Sequence, residues 1–182
     1  MACELIIGGA RSGKSRLAEQ RAKRDGREVV VVATAEALDP EMAERIEQHR
    51  RDRPPHWRTV EAPRRLAETL AREAGPERVL VVDCLTLWLS NCMVQTEDFS
   101  RPRNLRQLPG LVAAREALLG CLPELPGRVV LVANEVGFGV VPETPLGRLF
   151  RDEAGRLNQR VAALAERVTL VVAGLDLELK AN

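Results

Sequence analysis

The segment Gly8–Ser15 constrains the fold of this chain more than any other. It reads Gly-Gly-Ala-Arg-Ser-Gly-Lys-Ser and fits the spacing G-x-x-x-x-G-K-[ST], in which backbone amides, a lysine and a hydroxyl hold the phosphates of a nucleoside triphosphate. The apolar run Glu4–Ile7 precedes it, and helix-forming residues follow from Ser15 to Arg24. A loop between a strand and a helix adds the helix dipole to phosphate binding. We therefore predict a P-loop rather than a chance glycine-rich turn.

The motif predicts nucleotide contacts from eight consecutive residues: Gly8, Gly9, Ala10, Arg11, Ser12, Gly13, Lys14 and Ser15. It does not identify the reaction, because kinases, GTPases and motor ATPases all use this loop. Two motifs typical of switch GTPases, Asn-Lys-x-Asp and Asp-x-x-Gly, are missing at the expected places, since Asp83 is followed by Cys-Leu-Thr. This argues against a Ras-like switch but not against GTP as a substrate.

Four further apolar runs, all dominated by valine and leucine, punctuate the chain. They are Glu28–Ala33, Arg78–Val82, Arg128–Ala133 and Val168–Ala173. Continuous β-branched runs without polar alternation are typical of strands that are covered on both faces of a parallel sheet. Helical segments lie between them, so the pattern predicts an α/β protein, a P-loop NTPase-type three-layer fold with a mostly parallel central sheet. A length of 182 residues predicts one nucleotide-binding domain over residues 1–182.

Helical periodicity is clearest over Pro145–Arg167, where apolar residues recur at intervals of three and four and predict one face against the sheet. A second helix is predicted from the Asp39 cap to about Asp52, with Met42 and Ile46 facing the core. Ala62-Pro63 is predicted to start a third helix. The polar, aperiodic stretch Thr96–Pro109 is interpreted as a mobile loop or lid.

Composition excludes several functional classes. The chain has 27 Lys plus Arg against 26 Asp plus Glu, so its net charge is too small to indicate a nucleic-acid or membrane partner. No apolar stretch approaches the roughly 20 residues that span a bilayer, and no signal peptide is evident. Four cysteines without metal-ligand spacing predict small buried hydrophobes in a reduced cytoplasm. We therefore expect a soluble cytoplasmic protein.

Asp83 ends the apolar run Val79–Asp83. In P-loop proteins a carboxylate at this position reaches Mg²⁺ opposite the hydroxyl of the loop, here Ser15. We predict that Ser15 and Asp83 are the protein's metal ligands and that Mg²⁺ is the cofactor. Capping of a helix from Leu85 is the alternative.

His49 lies in the basic segment Glu47–Trp57, where helical spacing places Arg45 and Arg53 on the same flank. The cations would attract triphosphate oxygens and disfavour imidazolium, leaving a ring nitrogen free as a nucleophile. A position near a helix C-terminus acts in the opposite direction. From the residues alone, a solvated basic turn with an incidental histidine stays an open alternative.

Together these motifs resemble the bifunctional adenosylcobinamide kinase and adenosylcobinamide-phosphate guanylyltransferase family of cobalamin biosynthesis. The resemblance covers nearly the whole chain and rests on an ordered set of segments: 6–16, Val32–Ala35, Asp39–Met42, His49–Glu61, Asp83–Thr86, Asn134–Pro142 and Phe150–Arg160. The P-loop alone is weakly specific, whereas the ordered set is highly specific.

The resemblance implies two reactions. A nucleoside triphosphate, ATP or GTP, phosphorylates the hydroxyl of the aminopropanol arm of adenosylcobinamide, and GMP then passes from GTP to that phosphate through a guanylyl-histidine. His49 matches the guanylylated histidine, and Lys14 is implied to be a second catalytic residue. The resemblance further implies that these residues contact nucleotide: Ala33, Thr34, Ala35, Arg50, Arg51, Asp52, Arg53, Glu61 and Asp83. It also implies a homotrimer.

The chain departs from the family pattern at two places. Many members carry a His-His pair where this chain has Gln48-His49, so a role of the first histidine is absent or dispensable here. Some members carry Glu at the position of Asp83, whose shorter side chain favours a water-bridged metal contact. A single-activity P-loop kinase that forms no covalent intermediate is the alternative function, and the loop Asn134–Pro142 is either part of the corrinoid site or a structural turn.

Overall fold

The computed structural model describes residues 2–94 and 108–181. In these residues seven strands form one sheet in the order β3-β2-β4-β5-β1-β6-β7. The strands are β1 (Ala2–Gly8), β2 (Glu28–Ala33), β3 (Arg58–Glu61), β4 (Arg78–Asp83), β5 (Arg128–Asn134), β6 (Arg167–Val172) and β7 (Leu175–Ala181). The pairs from β3 to β6 are parallel, and β7 is antiparallel to β6. The predicted α/β class and mostly parallel central sheet are confirmed.

Within the same ranges, six α-helices connect the strands. They are α1 (Lys14–Asp25), α2 (Pro40–Asp52), α3 (Leu66–Glu73), α4 (Leu85–Val94), α5 (Pro109–Cys121) and α6 (Pro145–Leu164), and a short 3-10 helix over Leu122–Glu124 follows α5. Thr144 caps α6 by accepting from the Gly147 amide at 3.1 Å. The predicted helix over Pro145–Arg167 is therefore correct except at its end, because Arg167 already belongs to β6.

Alternate residues of the central strands point to two separate cores, which explains their uninterrupted valine and leucine content. One core joins residues such as Leu5, Val82 and Leu131 to the helices α3 to α6. The other joins residues such as Ile6 and Val81 to α1. Helices thus cover both faces of the sheet and make three layers, as predicted.

Two strands were not predicted, β3 and β7. The strand β3 has only four residues and no fully buried one, so it lacks the apolar run of a central strand. The strand β7 alternates leucine with charged residues at the sheet edge. The third helix begins at Leu66 rather than at Ala62-Pro63, because the Ala62 amide still donates to the Ala33 carbonyl at 2.8 Å and keeps the chain extended.

The predicted packing of Met42 and Ile46 in the core is wrong. The helix α2 begins at Pro40 and ends at Asp52, as predicted, and the Asp39 carboxylate accepts from the Met42 amide at 2.8 Å. Both side chains are only half-buried, however, and they line a cavity at the carboxyl edge of the sheet. The physical reason is that α2 stands at this edge instead of lying on a sheet face.

Three of the four cysteines are buried and all four thiols are free, in agreement with the prediction. Of the predicted loop or lid over Thr96–Pro109, residues 96–107 lie outside the described part of the chain, and Pro109 begins α5. Within residues 2–94 and 108–181, no helix has both the length and the apolar character required to cross a membrane.

Candidate nucleotide-binding and transfer site

The P-loop lies at the carboxyl end of β1 and leads directly into α1. Gly13, the residue before α1, has φ of 100°, which a residue with a side chain rarely adopts. A methyl group added at Gly8 would lie 2.5 Å from the Val171 carbonyl oxygen and 2.6 Å from Ser12 Oγ. Glycine is thus required at Gly8 by close approach of the β6 backbone and at Gly13 by backbone conformation.

Two neighbouring segments fix the loop from outside. The Glu135 amide, just after β5, donates to the Gly8 carbonyl at 3.0 Å. The Gly174 amide, in the turn between β6 and β7, donates to the Ser12 carbonyl at 2.9 Å. The P-loop backbone is therefore held by β1 itself, by the residue that follows β5 and by the turn between β6 and β7.

Lys14 is almost fully buried, and its Nζ donates to the Gly9 carbonyl at 2.9 Å. Burial lowers the pKa of this amine below its ordinary value of 10.5, although the nearby Cys84 and Asp83 act in the opposite direction. A triphosphate at the loop would supply negative charge that offsets the cost of burying the ammonium. The position suits a lysine that reaches the phosphate chain.

Ser15, at the start of α1, and Asp83, at the end of β4, meet across the site. Ser15 Oγ lies 3.5 Å from Asp83 Oδ1. The other oxygen, Oδ2, lies 3.5 Å from Arg53 Nη2, and Arg53 Nε is 3.9 Å from Glu19 Oε1. Asp83 therefore faces the hydroxyl of the P-loop, as the prediction of paired ligands requires.

This oxygen pair fits Mg²⁺, which takes hard oxygen ligands and usually binds through one or two carboxylates together with substrate phosphates and water. Among residues 2–94 and 108–181, no cluster of three or more His, Cys, Asp or Glu side chains could hold a metal ion by itself. A site of Ser15 and Asp83 would thus depend on the nucleotide for further ligands.

His49 lies near the C-terminal end of α2 and is exposed. It lines two cavities at once. One, of about 770 Å³, is formed by Ala10–Ser15 of the P-loop and by the Ala173-Gly174 turn. The other, of about 780 Å³, lies under α2. Since both cavities also share Asp83 and Asn134, the imidazole stands at their junction.

The second cavity contains most of the remaining predicted residues. Its lining includes Ala33, Ala35, Arg50, Arg53, Glu61 and Asp83. Met42 and Ile46 give it an apolar wall, and Glu61, the last residue of β3, gives it a carboxylate. The structure therefore brings together residues from four separate segments of the sequence beside His49.

Two predicted nucleotide-contacting residues outside the P-loop, Thr34 and Arg51, do not line either cavity. Thr34 is fully buried, and its Oγ1 donates to the Cys84 carbonyl at 2.7 Å and accepts from the Cys84 amide at 2.8 Å. It thereby fixes the segment after Asp83, where the Asp83–Cys84 peptide bond is cis. Arg51 is exposed and pairs with Glu47 at 3.2 Å. Asp52 ends α2, and its side chain lies outside the described part.

Within the P-loop, Gly8 and Gly9 are the two predicted contacts that do not line the cavity. Both act through their backbones instead. The Gly8 carbonyl accepts from Glu135, and the Gly9 carbonyl accepts from Lys14. These two glycines therefore shape the loop, while the residues from Ala10 onward face the space that a triphosphate would fill.

Three segments that sequence reasoning did not assign to the nucleotide site also contribute. Asn134, the last residue of β5, lines both cavities, and its backbone N–H donates to Thr86 Oγ1 at 2.7 Å. Glu36, which receives a bidentate contact from Arg64 at 2.7 and 2.9 Å, lines the cavity under α2. Asn134 had a usable signal, because it ends a buried parallel strand. The Ala173-Gly174 turn had none, because its place depends on an unpredicted strand.

Comparison with known proteins decides the family. The family model described as cobinamide kinase / cobinamide phosphate guanyltransferase matches residues 4–179. The chain belongs to this family. It is 54% identical over 177 residues to the bifunctional adenosylcobalamin biosynthesis protein CobP of Pseudomonas aeruginosa, covering 97% of this chain and 96% of that protein.

A second relative is the bifunctional adenosylcobalamin biosynthesis protein CobU of Escherichia coli, 42% identical over 179 residues, with 97% of this chain and 98% of the relative covered. Among solved structures, the flagellar accessory protein FlaH from Methanocaldococcus jannaschii matches with a TM-score of 0.48 at 13% identity over 100% of this chain and 79% of that chain. The predicted membership of the cobinamide kinase / cobinamide phosphate guanyltransferase family, and with it the assignment as a transferase, is confirmed.

Proposed function

We propose that this protein phosphorylates adenosylcobinamide with a nucleoside triphosphate and then transfers GMP from GTP to adenosylcobinamide phosphate through a guanylyl-histidine. The observation that carries the proposal is the position of His49, which lines the same cavity as Lys14 and Ser15 of the P-loop. One bound triphosphate can therefore present its terminal phosphate to a hydroxyl and an inner phosphate to an imidazole.

In the first step, the oxygen of the substrate hydroxyl attacks the γ-phosphorus and its proton passes to solvent, the bond to the bridging oxygen breaks, and the nucleoside diphosphate leaves with the electron pair. The P-loop amides and Lys14 hold the phosphates, so this step depends mainly on positioning and charge neutralisation. The buried Lys14 ammonium is aimed at the loop interior, where its contact with the Gly9 carbonyl keeps it in place.

In the second step, a neutral ring nitrogen of His49 attacks the α-phosphorus of GTP, and pyrophosphate leaves. A phosphate oxygen of adenosylcobinamide phosphate then attacks the guanylyl phosphorus, the P–N bond breaks, and His49 is regenerated as adenosylcobinamide-GDP forms. The arginines beside His49 in the cavity, Arg50 and Arg53, would neutralise phosphate charge while GMP is loaded onto His49 and while it passes on to the substrate phosphate.

The cavity under α2 suits the guanosine end of the nucleotide. Met42 and Ile46 offer an apolar surface to a planar base, and the Glu61 carboxylate is an acceptor for the N–H groups of a guanine edge. With its base bound there, the nucleotide would extend from Glu61 past His49, and its phosphates would reach the P-loop.

We further propose Mg²⁺ as the cofactor, held by Ser15 and Asp83 together with phosphate oxygens. When bound, it neutralises charge on the phosphate groups being transferred. The 3.5 Å approach of Ser15 Oγ to Asp83 Oδ1 supports this assignment.

Radiolabelling tests the covalent step. After incubation with GTP labelled at the α-phosphorus, wild-type protein should retain acid-labile, alkali-stable label, and His49→Ala should retain none while still phosphorylating adenosylcobinamide. His56→Ala is the matched control, because His56 is exposed and lines neither cavity. Labelling that survives His49→Ala would remove this residue from the role, and absence of label in the wild type would favour the single-activity kinase.

We also propose that the protein is a cytoplasmic homotrimer. The edge strand β7 supports self-association, because Leu175, Leu177 and Leu179 are exposed on one side of it. Light scattering after chromatography should give three times the mass of the 20.1 kDa chain, and Leu177→Glu should lower that mass.

A further inference from the structure

The nucleotide proposed above would occupy both cavities, from Glu61 to the P-loop. Only the end of the aminopropanol arm of the second substrate then needs to enter them. The corrin ring, a wide macrocycle fringed with methyl groups and neutral amides, must lie on the rim. In open α/β sheets that rim is formed by the loops at the carboxyl ends of the strands.

The loop 135–142, which follows β5, is one part of that rim and is firmly attached at both ends. At its start the Glu135 amide donates to Gly8, and the Gly137 amide donates to Glu135 Oε1 at 2.6 Å. At its end Arg148 Nη1 donates to the carbonyls of Pro142 and Glu143 at 3.0 and 2.7 Å. The loop is therefore tied to the P-loop at one side and to α6 at the other.

The tip between these attachments is apolar and exposed to solvent. The side chains of Phe138, Val140 and Val141 are 84%, 92% and 57% exposed. Residues 137–142 carry no charge in a chain in which 29% of residues are charged. Both tryptophans, in contrast, are buried. An exposed aromatic and two exposed valines on an anchored loop are typical of a surface that binds an apolar partner.

We propose that this apolar tip, Phe138, Val140 and Val141, is the surface on which the corrin ring of the cobinamide substrate packs. The inference rests on the proposed function. Two observations favour this occupant. The loop that carries the tip begins at the transfer site, because Asn134, directly before the loop, lines both nucleotide cavities. Its lack of charge matches the neutral, methyl-rich edge of a corrin rather than a phosphate or an acidic partner.

A second exposed apolar side chain, Leu38, stands at the cavity under α2. It is 77% exposed and lines the cavity under α2 together with Asn134. A ring resting on the tip and on Leu38 would direct its hydroxyl arm inward towards Lys14 and, after phosphorylation, its phosphate towards His49. The same surface would thus serve both transfers, although the first reaction takes place at the γ-phosphate of the nucleotide and the second at the α-phosphate.

Substitution of the tip tests the inference. Phe138→Ser and the double variant Val140→Ser with Val141→Ser should each raise the KM for adenosylcobinamide and the Kd from equilibrium dialysis about tenfold or more, because apolar burial against the ring is lost. The KM for the nucleotide should stay within about twofold of wild type, since the tip lies outside the nucleotide cavities. Leu164→Ser, an apolar-to-polar change at the far end of α6, is the matched control.

Three outcomes would overturn the inference. The first is an unchanged Kd for adenosylcobinamide. The second is an equal rise in the KM values for adenosylcobinamide and for the nucleotide, which would indicate a disturbed P-loop. The third is a lower oligomer mass with unchanged substrate affinity, which would make the tip an interface between copies. Dialysis needs no turnover. A wild-type protein that binds adenosylcobinamide through this tip but transfers nothing would therefore contradict the proposed function and leave the docking surface supported.

Discussion

The P-loop and helix α2 face each other across the same cavity, yet they are held in different ways. The P-loop is fixed by backbone hydrogen bonds from Glu135 and Gly174 and by a glycine that the β6 backbone touches. None of the side chains described in α2 belongs to either hydrophobic core, and the exposed ones outnumber the half-buried ones. Its C-terminal end is attached through Arg53, which pairs with Asp83 and Glu19.

This difference indicates that the P-loop and α2 have different roles in the two reactions. A preformed loop loses little freedom when it binds phosphate and suits a step that depends on positioning. A helix outside the core can shift, since little apolar burial resists its movement. We therefore expect the P-loop to serve both transfers and α2 to serve mainly the one that uses His49.

The largest effect should come from Lys14→Ala. Loss of the buried ammonium removes charge stabilisation from the phosphates in both reactions, so both rates should fall about 10²- to 10³-fold. Kinase turnover and covalent GMP loading would be measured on the same preparation. Lys23→Ala, an exposed change on the same helix, is the control. A variant that lost only one activity would contradict a P-loop shared by both.

Gly8→Ala should destabilise the fold itself. The new methyl group would meet the Val171 carbonyl oxygen at 2.5 Å, and forced contacts of this kind cost about 1–3 kcal/mol. Urea unfolding measures the change in free energy. Gly9→Ala, next to it in the same loop, is the matched control, because no described residue other than its own chain neighbours has an atom within 4 Å of the place its methyl group would take. Equal stability of the two variants would show that the P-loop is less rigid than its contacts indicate.

Arg53→Ala should separate the two regions. Without the contacts to Asp83 and Glu19, α2 is less firmly placed, and the rate of covalent GMP loading should fall about tenfold, as expected for loss of a charged hydrogen bond worth ~1.5 kcal/mol. Kinase turnover should fall less. Arg51→Ala, two residues earlier and paired with Glu47, provides the comparison. If both activities fell by the same factor, Arg53 would belong functionally with the P-loop.

The smallest effect should be a pH dependence of stability due to Lys14. Burial lowers its pKa in the folded protein below 10.5, so the unfolded chain binds more protons between the two values. The free energy of unfolding of wild type, relative to Lys14→Met, should therefore rise as pH increases through that window. A bound triphosphate should shrink the rise, because its charge favours ammonium. A rise of the same size with nucleotide would show that Lys14 lies away from the phosphates.

Much of the fold follows from local pattern. The buried runs predicted five strands because parallel strands covered on both faces need continuous apolar side chains. The edge strands β3 and β7 lack that requirement, which is why neither was predicted. The prediction for the packing of α2 was wrong for a related reason. Met42 and Ile46 form the same apolar pattern in the sequence whether their side chains face a core or a cavity.

The sequence by itself determined the P-loop, the strand-terminal Asp83 and the order of the motifs, because each depends on residue types at short spacing. Only the tertiary structure decided that His49 stands at the junction of two cavities, that the Ala173-Gly174 turn braces the P-loop, and that Thr34 fixes the backbone after Asp83. These contacts join residues from distant segments of the chain. The spacing of residues within a motif does not show which strands lie side by side in the sheet, and so it does not show which strand ends meet at the site. The P-loop is thus a local property of the chain, and the transfer site around it is a property of the sheet.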